Sequence, residues 1–408
     1  MSSQVVAAAV AAGFSLLVLP AAQAQTAPRE IGTLGGRSSW AQAVNALGVV
    51  VGTSETPEGS FRAFIARRPG ALTGLGPDNV PGVGLGINDL NDVVGSSDRA
   101  FARIGGRLRE LGPGLANDIS NLRQSAGWSN VTPEETHAVV WDAAGRMRDL
   151  GQTGEQSFAS ALNDRGQVAG WITDAAGQPH AVLWEPDGSR AELGTLGGRY
   201  SQALAINEAG DVAGVSETAS GIPHAFVWRR GSGMVDLGED LRSSAAFGLN
   251  DSGQVVGERV SEGGRQRAFV WSAETGLMTL DTPSRPDGAS RANAINDLGE
   301  IAGLVAGSTE ARALVWIVRP SPAAQVAGLE GLIRLLIRDR VVTSRRASSP
   351  LAHVRAAARA IRAGRLDRAA AYLRTAARRL SGAAPAESRA RVTHLGTIAV
   401  RVAVMLAD

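Results

Sequence analysis

Residues Ala161 to Gly170 read Ala-Leu-Asn-Asp-Arg-Gly-Gln-Val-Ala-Gly, and this stretch decides the fold because it recurs. Related segments are AVNALGVVVG ending at Gly52, GINDLNDVVG at Gly95 and DISNLRQSAG at Gly127. Further copies are AINEAGDVAG at Gly214, GLNDSGQVVG at Gly257 and AINDLGEIAG at Gly303. The closing glycines lie 43, 32, 43, 44, 43 and 46 residues apart, a period typical of a repeat architecture. Asn-Asp-x-Gly between short apolar runs is a turn: Asn and Asp bond their own backbone, and Gly accepts positive φ. In the third copy Ser120-Asn121-Leu122-Arg123 departs from this pattern, and a degraded turn is expected there.

Each copy continues into a second element. It is Arg62-Ala63-Phe64, Arg99-Ala100-Phe101, His137-Ala138-Val139, His180-Ala181-Val182, His224-Ala225-Phe226, Arg267-Ala268-Phe269 and Arg312-Ala313-Leu314. Five copies run on to a tryptophan: Trp141, Trp184, Trp228, Trp271 and Trp316. A short leucine-glycine strand follows, as in Asp149-Leu150-Gly151 and Asp236-Leu237-Gly238. The β-branched and aromatic runs favour strands. Four strands in about 43 residues match one propeller blade. The first is rich in alanine (Ala41, Ala43, Ala203, Ala205, Ala292, Ala294), as a crowded position around an axis requires.

The ends of the array complement each other. The last repeat stops at Ile317-Val318-Arg319-Pro320 without a fourth strand. Before the first, Arg29-Glu30-Ile31-Gly32-Thr33-Leu34-Gly35-Gly36 matches Ala191-Glu192-Leu193-Gly194-Thr195-Leu196-Gly197-Gly198. Pairing Glu30–Gly32 beside Ala311–Ile317 completes a seventh blade and removes an open edge. The expected fold is therefore mainly β: a seven-bladed β-propeller closed by an N-terminal strand, plus a small C-terminal α-helical bundle.

The repeats resemble the bacterial HAF-repeat proteins, extracellular proteins named for the His-Ala-Phe tripeptide. His224-Ala225-Phe226, Gly-Thr-Leu-Gly-Gly and Asn-Asp-x-Gly-Gln-Val-Val-Gly carry the likeness, over about Ile31 to Val318. Arg replaces His in repeats one, two, six and seven. The resemblance implies export and a propeller-like fold, and it implies no catalytic residues.

Val5 to Pro20 is an apolar run ending in Ala22-Gln23-Ala24, a small-x-small cleavage site before Gln25. The expected organisation is 1–24 signal peptide, 25–318 propeller, 319–322 linker and 323–408 basic helical domain. Extracellular or periplasmic location follows, with no transmembrane span in the mature chain and no nucleic-acid partner. The 408 residues contain no cysteine, which excludes disulfides, zinc-thiolate sites and cysteine nucleophiles together. All 41 basic residues are arginine, so Schiff-base chemistry and Walker-type phosphate loops are excluded too.

The net charge of +2 hides two opposite parts. From Ser321 onward 16 Arg face five acids, a net +11; the preceding residues hold 25 Arg and 34 acids, a net −9. Beyond Pro320 and Pro322 the period becomes helical. Leu329, Leu332, Ile333, Leu336 and Ile337 mark one stripe. Ser349-Pro350 reads as the start of a second helix, with Leu351, Val354, Ala358 and Ile361 on its apolar face. Gly364 breaks it. Leu366, Ala370, Leu373, Ala377 and Leu380 form a third stripe, and Val392, Leu395, Ala399, Val402 and Leu406 a fourth. This part loosely resembles the FIMAH helical domain of bacterial extracellular proteins, without its aromatic signature. Arg355, Arg359, Arg362, Arg374 and Arg378 are candidates for contact with an anionic surface or with the acidic propeller; a solvated basic face is the plain alternative.

The loops Gly35–Trp40 and Gly197–Gln202 join a fourth strand to the next blade, and Arg37, Trp40, Arg199 and Tyr200 make them the candidate ligand surface. His137, His180 and His224 read as structural hydrogen-bonding groups rather than metal ligands, because Arg holds the same slot elsewhere. The repeat tryptophans read as blade packing rather than carbohydrate platforms, and the Asn-Asp pairs as turns rather than calcium loops. No cofactor and no metal is implied. A binding or scaffold module for a glycan, cell-surface or protein ligand is favoured over a glycan hydrolase or lyase. Hydrolysis needs two carboxylates at a set separation, and no non-repeated acid pair with a partner histidine is visible.

Overall fold

The computed structural model describes residues 25–67, 71–75, 82–238, 241–261, 263–338 and 344–381, with 396, 398–400 and 402–403. The expected signal peptide, 1–24, lies outside the described residues. Seven four-stranded antiparallel sheets stand in a ring, each consecutive in sequence except the last. Blade four is representative: Ser157–Leu162, Val168–Thr173, Pro179–Trp184 and Arg190–Glu192 run in that order.

The seventh blade closes as expected. Ala289–Ile295, Glu300–Ala306 and Ala311–Val318 are joined by Gln25–Glu30, with Arg29 opposite Val315 and Glu30 opposite Leu314. Ile31 adds a backbone N–H bond to the Ala313 carbonyl at 3.0 Å. An otherwise unpaired strand edge is thereby covered.

The recurring glycine closes each segment for a steric reason. A Cβ at Gly52 would lie 1.9 Å from the Trp40 carbonyl oxygen, and one at Gly214 2.0 Å from that of Gln202. An aromatic ring packs on the same spot: Phe64 on Gly52, Phe226 on Gly214, Trp184 on Gly170 and Trp316 on Gly303. This explains why Phe and Trp trade places in the motif. Where the tripeptide ends in Phe64, Phe226 or Phe269, that ring is fully buried, and Trp228 and Trp271 are only half-buried. Where it ends in Val or Leu, the later tryptophan fills the space, and Trp141, Trp184 and Trp316 are fully buried.

Two sets of hydrogen bonds tie blade to blade. The alanine of each tripeptide is buried, and in five of the seven its N–H donates to a serine in the first strand of the next blade. The pairs are Ala138–Ser157, Ala181–Ser201, Ala225–Ser244, Ala268–Ser290 and Ala313–Ser39, at 2.9 to 3.1 Å. The Asn-Asp turns form the second set. Asn250 folds its own turn by accepting N–H bonds from Ser252 and Gln254. Its amide also donates to the Asn296 carbonyl of the next blade at 3.0 Å. The neighbouring acid accepts a backbone N–H from the preceding blade: Asp89 from Ala46, Asp164 from Asn121, Glu208 from Asp164, Asp251 from Glu208 and Asp297 from Asp251, at 2.6 to 2.9 Å.

The third repeat corrects the expectation of a degraded turn. Arg123 N–H donates to the Ser120 carbonyl at 2.9 Å, as in the other blades. Arg123 occupies the left-handed position (φ 61°) that Gly166, Gly210, Gly253 and Gly299 fill elsewhere. The conformation costs an L-residue about 1 kcal/mol, and the Arg123 ion pair with Asp92 at 2.8 Å helps hold it.

Three helices are described beyond the ring: α1, Pro322–Arg338; α2, Ser344–Arg362; α3, Leu366–Ser381. The expected start of the second helix at Ser349-Pro350 is incorrect. The helix begins at Ser344 and carries Pro350 inside it, where the missing N–H costs one intrahelical bond. Gly364 ends α2 in a left-handed cap (φ 67°), with Arg365 N–H donating to Ala360. Leu329, Ile333, Val354, Leu373 and Leu380 share one core with Ala399 and Val402. Val392, Leu395 and Leu406 of the fourth stripe lie outside the described residues.

Candidate functional site

The first strands of the seven blades line the central channel, and each carries the same defect. The register slips between Ala41 and Ala43, Gly84 and Gly86, Ala116 and Asp118, Ala159 and Ala161, Ala203 and Ala205, Ala246 and Gly248, and Ala292 and Ala294. One residue per blade is thus unpaired, as in a β-bulge. These residues are Gln42, Leu85, Asn117, Ser160, Leu204, Phe247 and Asn293, and all seven line a cavity of about 450 Å³. Small flanking residues let the strands approach: a Cβ at Gly86 would lie 2.8 Å from the Asp118 Cα of the next blade.

Below this cavity sits a collar of aliphatic residues, Val44, Ile87, Ile119, Leu162, Ile206, Leu249 and Ile295. The Asn-Asp turns form the far mouth, around a smaller space of about 170 Å³. The collar separates the two polar regions.

The upper cavity is uneven around its circumference. Blades two, five and six supply Leu85, Leu204 and Phe247, while blades seven, one, three and four supply Arg291, Asn293, Gln42, Asn117, Asp118 and Ser160. The Arg291 guanidinium lies 3.6 Å from the Phe247 ring centroid, a cation–π contact that fixes its place. Its nearest acid is Glu258 at 3.8 Å, and its buried Nε has no hydrogen-bond partner. Burial pushes the Arg291 pKa below the usual arginine range, against the opposing pull of Glu258. Asp118 accepts the backbone N–H groups of Ile119 (2.8 Å) and Leu162 (3.0 Å). Its pKa is nonetheless raised, because desolvation outweighs those two bonds.

The two loops expected to bind ligand are near-identical in build. Thr33 Oγ1 donates to Gly36, and Thr195 Oγ1 to Gly198. Glu55 accepts the backbone N–H of Arg37 at 2.9 Å, and Glu217 that of Arg199 at 2.6 Å. The Arg199 guanidinium also pairs with Glu217 at 3.2 Å, which holds the Glu217 carboxyl below its usual range. Burial, and then Glu217, raises the Tyr200 pKa. Trp40 packs edge-on against Phe61, with centroids 5.3 Å apart. Arg37 and Trp40 enter blade one, whereas Arg199 and Tyr200 enter blade five. The ring therefore holds the two pairs apart rather than in one site.

The histidines pair with acids inside their own blades. His137 Nδ1 lies 2.8 Å from Asp149, and His224 Nδ1 2.8 Å from Asp236, the acid of each Asp-Leu-Gly strand. His180 reaches Asp174 instead, at 3.1 Å. Arg312 pairs with Glu310 from the same slot, at 2.9 Å, and Arg99 pairs with Glu110. Arg or His can therefore fill the position equally well.

In the helical part, Arg355 pairs with Glu330 of α1 at 2.9 Å. Arg359, Arg362, Arg374 and Arg378 are exposed. Among the described residues, the helices meet the ring through Leu298, in the turn of blade seven, which joins the helical core, and through Gly328 of α1, which lies against Asp251. A Cβ at Gly328 would stand 3.2 Å from the Asp251 carbonyl oxygen.

The channel residues are hidden in the sequence because the bulge moves the middle residue of Ala-x-Ala, and a plain alternation does not show which way it faces. The available signal is the variation at x between constant small neighbours.

No family model matches the chain, and no curated protein matches it. Solved structures match it at low identity. Puromycin hydrolase is 15% identical over 75% of this chain and 55% of its own, with a TM-score of 0.47. The acylaminoacyl peptidase of Pyrococcus horikoshii is 11% identical over 68% and 51%, with a TM-score of 0.45. The BP39L lectin of Burkholderia pseudomallei is 13% identical over 69% and 96%, with a TM-score of 0.44. The match spans about half the length of the hydrolase and of the peptidase, at 55% and 51%.

Proposed function

We propose that the chain is an exported binding or scaffold module of the HAF-repeat kind, acting on an extracellular glycan or protein ligand without turning it over. One observation carries this reading: the repeated acids and histidines are engaged with each other and with the backbone. Asp149 and Asp236 hold histidines, and Asp89, Asp164, Glu208, Asp251 and Asp297 hold the turns of neighbouring blades. These carboxylates serve the fold, whereas glycoside hydrolysis calls for a pair of them set apart around the scissile bond. The exposed arginines of α2 and α3 suit contact with an anionic surface outside the cell. Among the described residues, no helix is long and apolar enough to cross a membrane.

A glycan-array screen of the purified mature protein, with turnover assays on the same polysaccharides, tests the reading. Retention of at least one glycan with no product released is expected. Turnover of any polysaccharide would overturn it. Mass spectrometry of the exported protein should find Gln25 at the N-terminus; an intact Met1 on a cytoplasmic protein would remove the export claim.

A further inference from the structure

We propose that the upper channel is the ligand site and that it takes a hydroxylated carboxylate, a sugar acid, with Arg291 as the anchor for the carboxylate. The inference rests on the binding-module reading and specifies its site. Arg291 is held by Phe247 and offers a guanidinium whose nearest acid, at 3.8 Å, lies beyond hydrogen-bond distance. An arginine fork matches a carboxylate with two parallel N–H bonds.

The hydroxyl groups have partners on the other walls. Gln42 and Ser160 make no side-chain hydrogen bond among the described residues, although both line the cavity. Asn117 and Asn293 each donate one bond, to the Ala159 and Ala41 carbonyls at 2.8 Å, which orients the amides and leaves the rest of each group available. The cavity of about 450 Å³ falls within the roughly 300–1,000 Å³ range of small-molecule sites. A symmetric filler would need no such arrangement: the repeat supplies Ala, Gly or Leu nearby, whereas the polar groups differ from blade to blade. The aliphatic collar lines the far side, so a ligand entering from the upper mouth meets apolar groups beyond the polar walls.

Calorimetry with D-glucuronate, D-galacturonate and N-acetylneuraminate, against D-glucose and acetate, tests the proposal. At least one sugar acid should bind about ten-fold or more tightly than glucose and than acetate. Arg291→Gln should remove that preference, Arg291→Lys should weaken it in part, and Arg146→Gln, at an exposed residue paired with Asp142, should leave it unchanged. Ser160→Phe narrows the cavity from blade four while Arg291 in blade seven is kept, and should weaken binding by about ten-fold or more; melting curves identify any variant that fails to fold. A glucuronate trimer separates the two sources: binding as tight as the monomer marks a polymer end, and loss of binding marks the free sugar acid. The proposal is overturned if no sugar acid outcompetes glucose, or if Arg291→Gln and Ser160→Phe both bind normally. An array glycan retained by both variants would move the site elsewhere and leave the module reading intact, whereas turnover would remove the module reading itself.

Discussion

The ring and the helices treat charge in opposite ways. In the ring, acids meet cations or backbone N–H groups at set places: Asp92 with Arg123, Glu217 with Arg199, Asp251 with Glu208 N–H. In α2 and α3 most arginines face solvent, and Glu330 of α1 gathers Arg355 together with its own neighbour Arg334. The contrast shows that net charge describes neither part well. Acids of the ring such as Asp89, Asp164, Glu208, Asp251 and Asp297 take part in its blade-to-blade bonding, while Arg355, Arg359, Arg362, Arg374 and Arg378 of the helices are exposed. Among the described residues, Leu298 and α1 make the contact between the parts.

The same substitution should therefore act with opposite sign in the two regions. Gly214→Ala forces a Cβ to within 2.0 Å of a carbonyl oxygen and should cost roughly 3 kcal/mol or more in denaturant unfolding. Gly331→Ala, in α1, meets nothing within 4 Å and should stabilise the helical part by up to about 1 kcal/mol. Equal effects would erase the distinction.

Loss of one blade-to-blade link should come next in size. Asn250→Ala removes bonds to Asn296, Gln254 and Ser252 from a buried site and should cost about 2 kcal/mol by chemical denaturation. A neutral result would reduce the Asn-Asp turns to local features.

A smaller effect depends on pH. Arg355, and then Arg334, holds the Glu330 carboxyl below its usual range. A depressed carboxyl stabilises the fold above its unfolded pKa, and that contribution is lost as pH falls through the folded value. Helical circular dichroism followed from neutral to acid pH should therefore decline, and Glu330→Gln should flatten the decline. An unchanged acid limb in the variant would assign the loss to other groups.

The smallest effect on stability is expected from the exposed arginines. Replacing Arg359, Arg362, Arg374 and Arg378 with Gln should leave the melting temperature within a degree or two and lower retention on an anionic resin. A large drop in melting temperature would show that these side chains support the fold.

Much of the ring is readable because its contacts repeat. Seven Gly-closed segments, a spare Glu30–Gly32 strand and an alanine-rich first strand lead directly to a closed propeller. Local reading fails where a residue acts through a neighbour in space. Asn250 reads as a turn former, yet it also binds the next blade, 46 residues away. Arg123 breaks the glycine pattern, yet the turn survives with an ion pair. Ser349-Pro350 has the form of a helix start, but α2 tolerates the proline within its length. Arg291 and Asn293 do not stand out, because the bulge beside them leaves no local mark in the sequence.

Closure by the N-terminal strand creates the ring, the channel and the site within it. The chain has no cysteine, so one introduced pair reports that closure without interference. Arg29 and Val315 are register partners across the seam, and antiparallel partners stand within disulfide reach. Arg29→Cys with Val315→Cys should form an intramolecular disulfide under mild oxidation, read as a mass loss of two hydrogens and a faster non-reducing gel band. Arg29→Cys with Arg312→Cys should not. Failure of the first pair to link, or linkage only between molecules, would contradict a ring closed by this strand.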